Sequence, residues 1–426
     1  MAVVPSQTVF SDTEMIEIQR RTLRVLVVGQ IAGSAALSAA VTVGAFVVQD
    51  ILGQKTPWGG IASATVTIGT AFMAQLLSRL MLRQGRRRGL MLGYSLALIG
   101  GLIAGYGVER QSLWIFLAGL FLFGNGQSAN LLSRYAATDL AKAENRGAAM
   151  SRILFASTFG AVFGPILIKP AEHLGQNLFG WNLYTGPWVF SGLFFITSFI
   201  NAALRLKPDP LVVSGGIVRR SSADQNDSKN EQLSVSRFLV SSPKTRLAFY
   251  AMVISHVTMV AVMTMTPVHL REHNHETVSA YIISLHIAGM YAFSPLVGRF
   301  SDRHGRLNTL LVGCLVLMLS TVMSALAGSN PAVFFPSLWL LGVGWSFGLI
   351  GSSSLLVDSV PIDYRVKVQG SADVAMSLFG GVAGFSSGFI RKSWGFPWLS
   401  MLGTMLVLFL LALLLLNVER FRLQEA

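Results

Sequence analysis

The chain has 426 residues, of which 52% are apolar and 12% charged, and a formal net charge of +13. That balance is too apolar for a soluble protein of this length and points to a chain that lives in a bilayer. The single cysteine, Cys314, excludes an intramolecular disulfide. The basic excess would argue for nucleic acid on a soluble surface, but here its placement carries a different message.

Residues 1–22 read as a polar tail, without the basic start, apolar core and cleavage site of a removable signal. Twelve apolar segments follow, at 23–49, 57–81, 89–108, 112–137, 147–169, 186–206, 245–270, 277–298, 309–327, 332–357, 367–390 and 395–417. Each is near the ~20 residues that cross a bilayer as a helix. Between the sixth and seventh lies 207–244, rich in Ser, Asp, Asn, Lys and Arg, which reads as a flexible linker. Its stretch 233–242 has the pattern of a short helix lying on the membrane surface. The expected organisation is a tail at 1–22, bundles at 23–206 and 245–417 flanking the linker, and a second tail at 418–426.

Of the 33 Lys and Arg, only Lys55, Arg110, Lys169, Arg271, Arg391 and Lys392 fall on the side opposite the termini. Such bias places both termini in the cytoplasm of a cell (plasma) membrane, so the charge is a topology signal and no nucleic-acid partner is expected.

The halves repeat. Arg83-Gln-Gly85-Arg86 recurs as Arg303-His-Gly305-Arg306, Asp139 and Arg146 recur as Asp358 and Arg365, and Gly160-x-x-x-Gly164 recurs as Gly380-x-x-x-Gly384. All three pairs are offset by about 220 residues, the mark of an internal duplication.

The turn between the eighth and ninth segments reads Gly298-Arg-Phe-Ser-Asp302-Arg303-His-Gly305-Arg306. Its pattern G-x-x-x-D-R-x-G-R resembles the cytoplasmic-loop signature of the major facilitator superfamily of secondary transporters. The resemblance implies an all-α membrane protein with twelve transmembrane helices in two pseudo-symmetric six-helix bundles. It also implies a charged latch on the cytoplasmic rim, built from this turn, from Arg83, Gly85 and Arg86, and from Asp139 with Arg146 and Asp358 with Arg365. The first-half copy departs from the signature, because Ser78 stands for the leading Gly and Leu82 for the Asp.

Gly160-Ala-Val-Phe-Gly164-Pro165 resembles the antiporter signature of proton-coupled drug exporters. Ser151, Leu167 and Ile168 depart from its longer form. Gly at this spacing permits close helix contact, and Pro165 bends the helix. In the family's architecture, segments one, four, seven and ten line a central cavity. That offers Gln30, Ser34, Asn125, Gln127, Asn130, His256, Met259, Met263 and Trp345 as cavity residues. His256, His286 and Asp373 are the titratable candidates for proton coupling, since no acidic residue sits in the middle of segments one, four or seven. Arg134 and Arg152 are expected to meet Asp139, Glu144 or an anionic ligand.

His269-Leu-Arg-Glu-His273 fits H-x-x-E-H in form. It runs into a short turn with no soluble domain to supply a third ligand, so a wet loop is expected and no metal site. With no phosphate-binding Gly-Lys loop either, neither an enzyme nor a cofactor is expected. The expected function is secondary transport of a small molecule by alternating access, as proton-coupled efflux of partly apolar compounds by a monomer. The alternatives are an uptake permease for a small metabolite, an anionic one included, and a membrane sensor that does not transport.

Overall fold

The structure, a computed structural model, describes residues 11–52, 61–216 and 241–425, which hold helices and turns and no strand. The first half contains α1 (Asp12–Leu52), α2 (Ile61–Gln84), α3 (Arg86–Glu109), α4 (Leu113–Ala136), α5 (Arg146–Ile166), α6 (Ile168–Phe179) and α7 (Thr185–Arg205). The second contains α8 (Pro243–Glu272), α9 (Glu276–Tyr291), α10 (Ser294–His304), α11 (Arg306–Leu326), α12 (Pro331–Ser359), α13 (Ile362–Trp394) and α14 (Phe396–Glu425). Ten spans are long and apolar enough to cross a membrane, with α9 and α10 counting as one. With α1 and α5 they make twelve crossings. Large apolar side chains are exposed around the outside, among them Phe72 (59%), Leu326 (79%) and Phe385 (68%), as expected for a surface solvated by lipid tails.

Several boundaries differ from the expected ones. Residues 12–22 are helical, because Ser11 and Glu14 form a reciprocal cap in which each side chain bonds the other's backbone N–H. The segment expected to stop at 169 breaks at Leu167, two residues after Pro165, and runs on as α6. The eighth segment is two helices, because Pro295 at the start of α10 cannot donate to the turn before it. The residues from 418 to 425 continue α14. Most of the surface helix expected at 233–242 lies outside the described residues.

The halves pack alike. α3 against α4, α1 against α5, α3 against α7, α2 against α4 and α1 against α7 recur as α11 against α12, α8 against α13, α11 against α14, α9 against α12 and α8 against α14. Each half has its own apolar core. Glycines let the backbones meet: a Cβ on Gly119 would lie 2.4 Å from the Ala104 nitrogen. Two pseudo-symmetric seams join the halves, α2 against α13 and α5 against α10.

Candidate functional site: the charged rim and its two seams

Both short turns that carry Arg-x-Gly-Arg bend through a glycine in the left-handed region, Gly85 at φ 92° and Gly305 at φ 86°. Each bend aims the following arginine back under the bundle, onto the face that holds the termini. That face is called the charged rim below.

The α5–α10 seam holds the complete copy. Asp302 accepts from the backbone N–H groups of Gly147 (3.0 Å) and Ala148 (2.7 Å), the open amides at the N-terminus of α5 in the opposite half. Arg306 binds Asp302 at 2.5 Å and Asp358 at 3.0 Å, and it donates across the seam to the Ala143 carbonyl at 2.7 Å. Arg146 reaches across to the same Asp358 at 2.5 Å. The seam is tight because Gly298 has no side chain: a Cβ there would lie 2.4 Å from Ser151 Oγ.

The α2–α13 seam inverts that last arrangement. Here Ser78 is on the turn-bearing helix and Gly370 on its partner, where a Cβ would lie 2.1 Å from Ser78 Oγ. The two seams therefore exchange Gly and Ser across the pseudo-twofold axis, which accounts for the first-half departure at Ser78 and for Ser151. With Leu82 in the aspartate's place, no carboxylate of that turn caps α13. Instead Arg86, fully buried, grips Asp139 of its own half with two hydrogen bonds (2.8 and 3.0 Å) and donates across the seam to Gln369 Oε1 at 3.2 Å. The amides of Arg86 and Arg87 are capped by Asp209, just beyond α7, at 3.2 and 2.7 Å.

One turn beyond Gln369 on α13, Asp373 accepts from Arg134 of α4 at 2.5 Å, with side-chain exposures of 0% and 1%. Arg134 also donates to the Leu131 carbonyl and to Tyr135 Oη, both at 3.0 Å. The expectation that Arg134 meets Asp139, Glu144 or a ligand is thus corrected: its anion is Asp373 of the other half. Arg152 is exposed, as are Arg83 and Arg303. Arg365 lines a rim cleft of about 570 Å³ with Asp139, Lys142, Arg146 and Asp363.

The other candidates divide. Gln30 is buried and bonds Ser157 and Ser133, Asn125 bonds its own helix at the Leu122 carbonyl, and Asn130 accepts from Tyr94. Gln30 and Asn130 thus tie helices of the first half together, and Asn125 serves its own helix. Ser34 packs against Gly160, joining α1 to α5, and Gln127 is half-buried. Gly164 is buried within α5. In the second half Met259 is buried and Met263 packs on its core. His286 donates through Nδ1 to the Leu338 carbonyl at 2.8 Å, an anchor between α9 and α12. His269 bonds the Gly328 carbonyl at 2.8 Å and stacks on Phe396, so the H-x-x-E-H stretch serves to pack the end of α8.

His256 and Trp345 differ from these. Trp345 Nε1–H donates to His256 Nδ1 at 3.1 Å, and Tyr291 packs edge-on against the indole at 5.8 Å. Because Nδ1 accepts, the proton of the neutral ring is on Nε2, which lies over the bare backbone of Gly380. The result is an aromatic wall whose ring N–H lies on the α13 side.

Sequence reasoning missed Gln369, Arg134 as a seam residue, Asp209 and Gly370. For Gly370 a signal existed, because it stands at the repeat offset from Ser151. Met150 stands at the place of Gln369 in the other half, and the pairing of Arg86 with Asp209 and with Gln369, 123 and 283 residues away, is invisible to local pattern.

Two six-helix halves in one membrane chain, joined through polar seams at one face, have the architecture of a secondary transporter. The sequence profile of the Major Facilitator Superfamily matches residues 26–384 and again 248–425. The chain belongs to that superfamily. It is 34% identical to the MFS-type transporter YdeG of Bacillus subtilis over 396 residues, covering 92% of this chain and 91% of that one. It is 27% identical to the riboflavin transporter RfnT of Brucella anthropi over 384 residues, 88% of this chain and 92% of that one. Among solved structures, the human organic anion transporter MFSD10 (TETRAN) superposes with a TM-score of 0.73 at 15% identity, covering 93% of this chain and 99% of that one.

Proposed function

We propose that the protein exports small, partly apolar molecules by alternating access, driven by protons, with the charged rim facing the cytoplasm of a plasma membrane. The positive-inside bias supports that orientation. The observation that carries the reading is that the cross-half hydrogen bonds described above all lie toward the charged rim. While made they shut that face, and parting them opens the space between the halves to the rim side. Both halves lie in one chain, so a monomer suffices.

The wall of His256, Trp345 and Tyr291 suits a flat ligand that stacks and offers an acceptor to Nε2–H. The partial exporter signature at Gly160, Gly164 and Pro165 favours efflux. Uptake of a hydrogen-bonding metabolite is the second reading, favoured by the full-length similarity to a riboflavin transporter. Arg134 gives an anionic ligand no added support, since Asp373 already neutralises it.

The test is a panel of labelled solutes in proteoliposomes, with an imposed proton gradient of either direction and with an uncoupler. Movement of a solute against its own gradient, abolished by the uncoupler, is the expected result. Flux indifferent to the gradient overturns proton coupling. Absence of flux for every solute leaves the sensor reading in place of transport.

A further inference from the structure

The two seams are alike in backbone and unlike in chemistry. In the α5–α10 seam, the positions matching Gln369 and Asp373 are Met150 and Leu154, and the position matching Arg134 is Ser353; the next residue, Ser354, turns its hydroxyl onto Met150 Sδ at 3.6 Å. That seam is apolar at depth and charged at its wet edge, with Asp302 and Asp358 side chains 10% and 28% exposed. Beside the α2–α13 seam, α4 and α13 instead bury a full ion pair, Arg134 with Asp373.

The pairing of each carboxylate decides what happens when the halves part. Asp302 and Asp358 both hold Arg306, which belongs to their own half. Asp139 likewise holds Arg86 of its own half. All three keep a cation as the rim opens. Asp373 does not: the cation bonded to it, Arg134, is on the opposite half, and Asp373 Oδ2 has no hydrogen-bond partner. A guanidinium cannot give up its proton, whereas a carboxylate stranded among apolar helices is more stable neutral than charged.

The geometry points to a division of labour in which the α2–α13 seam is the proton-responsive lock of the rim, and Asp373 is the group that binds a proton as the rim opens. The proton comes from bulk water onto the free Oδ2 and returns to water when Arg134 and Asp373 pair again. The α5–α10 seam is then a salt-sensitive clasp. This deepens the alternating-access reading and rests on it.

The groups around Asp373 fit that role. From α4 come Arg134 and Tyr135. From α3, one turn away, comes Arg86, already neutralised by Asp139. α8 offers His256, held by Trp345. α2 presents Gln75 and Ser78, and α12 presents Ser353, all uncharged. On α13 itself Arg365 and Lys367 are toward the rim, and α14 has no charged residue before Glu419, whose side chain is outside the described ones.

The test uses the full chain in nanodiscs on a Cys314→Ser background, with spin labels spanning each seam. Arg88→Cys with Pro361→Cys reports the α2–α13 side, and Glu144→Cys with His304→Cys the α5–α10 side, all four positions being exposed. Acid should raise the open fraction of the wild-type chain. Asp373→Asn should give an open fraction that no longer changes with pH, whereas Asp302→Asn should raise it and keep the pH slope. A wild-type slope in Asp373→Asn, or a lost slope in Asp302→Asn, overturns the inference.

Should Asp373→Asn fail to fold, the double variant Arg134→Met/Asp373→Leu, which copies the apolar depth of the other seam, should fold with a closed rim at every pH. A slope retained there also overturns the inference. The readout needs no substrate. Acid-opened protein that carries nothing would sink the transport reading alone, and a working carrier whose Asp373→Asn variant keeps its slope would sink this inference alone.

Discussion

Replacing Asp302 by Asn tests whether the complete turn works as a clasp or merely marks a leaflet. The carboxylate accepts two backbone N–H groups of α5, at 3.0 and 2.7 Å, and also holds Arg306. An asparagine of the same shape satisfies one N–H with its carbonyl and turns an NH₂ towards the other. One hydrogen bond to a charged group is lost, worth about 1.5–3 kcal/mol. The charge on the α5 N-terminus goes with it, about 0.3–1 kcal/mol more. Both contacts exist only while the seam is closed, so the sum of about 2–4 kcal/mol acts directly on the open-to-closed ratio, roughly thirtyfold to nearly a thousandfold. Alkylation of Ser151→Cys reports the change, because Ser151 is 1% exposed beneath Gly298. With Cys314 replaced, its rate should rise by a factor within that range. An unchanged rate would show that the contact, however good its geometry, does not hold the rim, and the clasp would have to be abandoned.

Gly370→Ala should force the α2–α13 seam apart, since the new methyl lies 2.1 Å from Ser78 Oγ. The exchange Ser78→Gly/Gly370→Ser should close it again, measured by the same alkylation or by spin-label distance. Raising ionic strength should loosen the α5–α10 seam, where Asp358 is 28% exposed, and leave the Arg134–Asp373 pair untouched. A salt response of equal size in both seams would contradict the wet-and-dry distinction. His256→Gln, able to accept from Trp345, should hold ligand better than His256→Phe, which leaves the indole N–H unmet at a cost of about 1–3 kcal/mol; equal affinities in a binding assay would remove His256 from the site. Leu82→Asp puts the signature's carboxylate back into the turn after α2, whose matching partners in the first two turns of α13 are Val366 and the buried Lys367. It should shift the rim toward closed and slow transport, and a more open rim would show that the first-half turn no longer meets that helix end.

The fold was legible because the bilayer makes it so. Apolar length, the sidedness of Lys and Arg and the repeat at a fixed offset each read directly as a physical constraint. The helix ends were less legible. Ser11 and Glu14 form a cap that local pattern can find, yet the helix they start was expected to be a tail. Gly298, Asp302 and Arg306 stood out through the signature they match, although the groups they meet (Ser151, the Gly147 and Ala148 amides, Asp358) lie far along the chain. Arg134 and Asp373 each stood out as an ionic residue inside a span, but their partnership is set by how two halves dock, and no periodicity records it. The polar residues of the first half misled for the opposite reason. Gln30 and Asn130 look costly in lipid, and their cost is met by Ser157, Ser133 and Tyr94 inside the same bundle.

Two identical seams would answer every stimulus together, because the same groups at the same depth have the same energetics. The duplication here has been edited where it matters for that. Leu82 removes the wet carboxylate from one seam, and Arg134 with Asp373 adds a dry pair beside it, while Met150, Leu154 and Ser354 keep the other seam apolar at depth. What remains symmetric is the close approach, Gly298 on Ser151 and Ser78 on Gly370, which lets both seams seat at the same helix spacing. Shape is therefore shared and charge is divided. A rim built this way stays closed through the sum of both seams, but titration can weaken only the one whose carboxylate loses its cation on opening. Proton binding then acts on a single helix pair, α4 against α13, and the remaining contacts set how far the equilibrium lies from the point where one proton tips it.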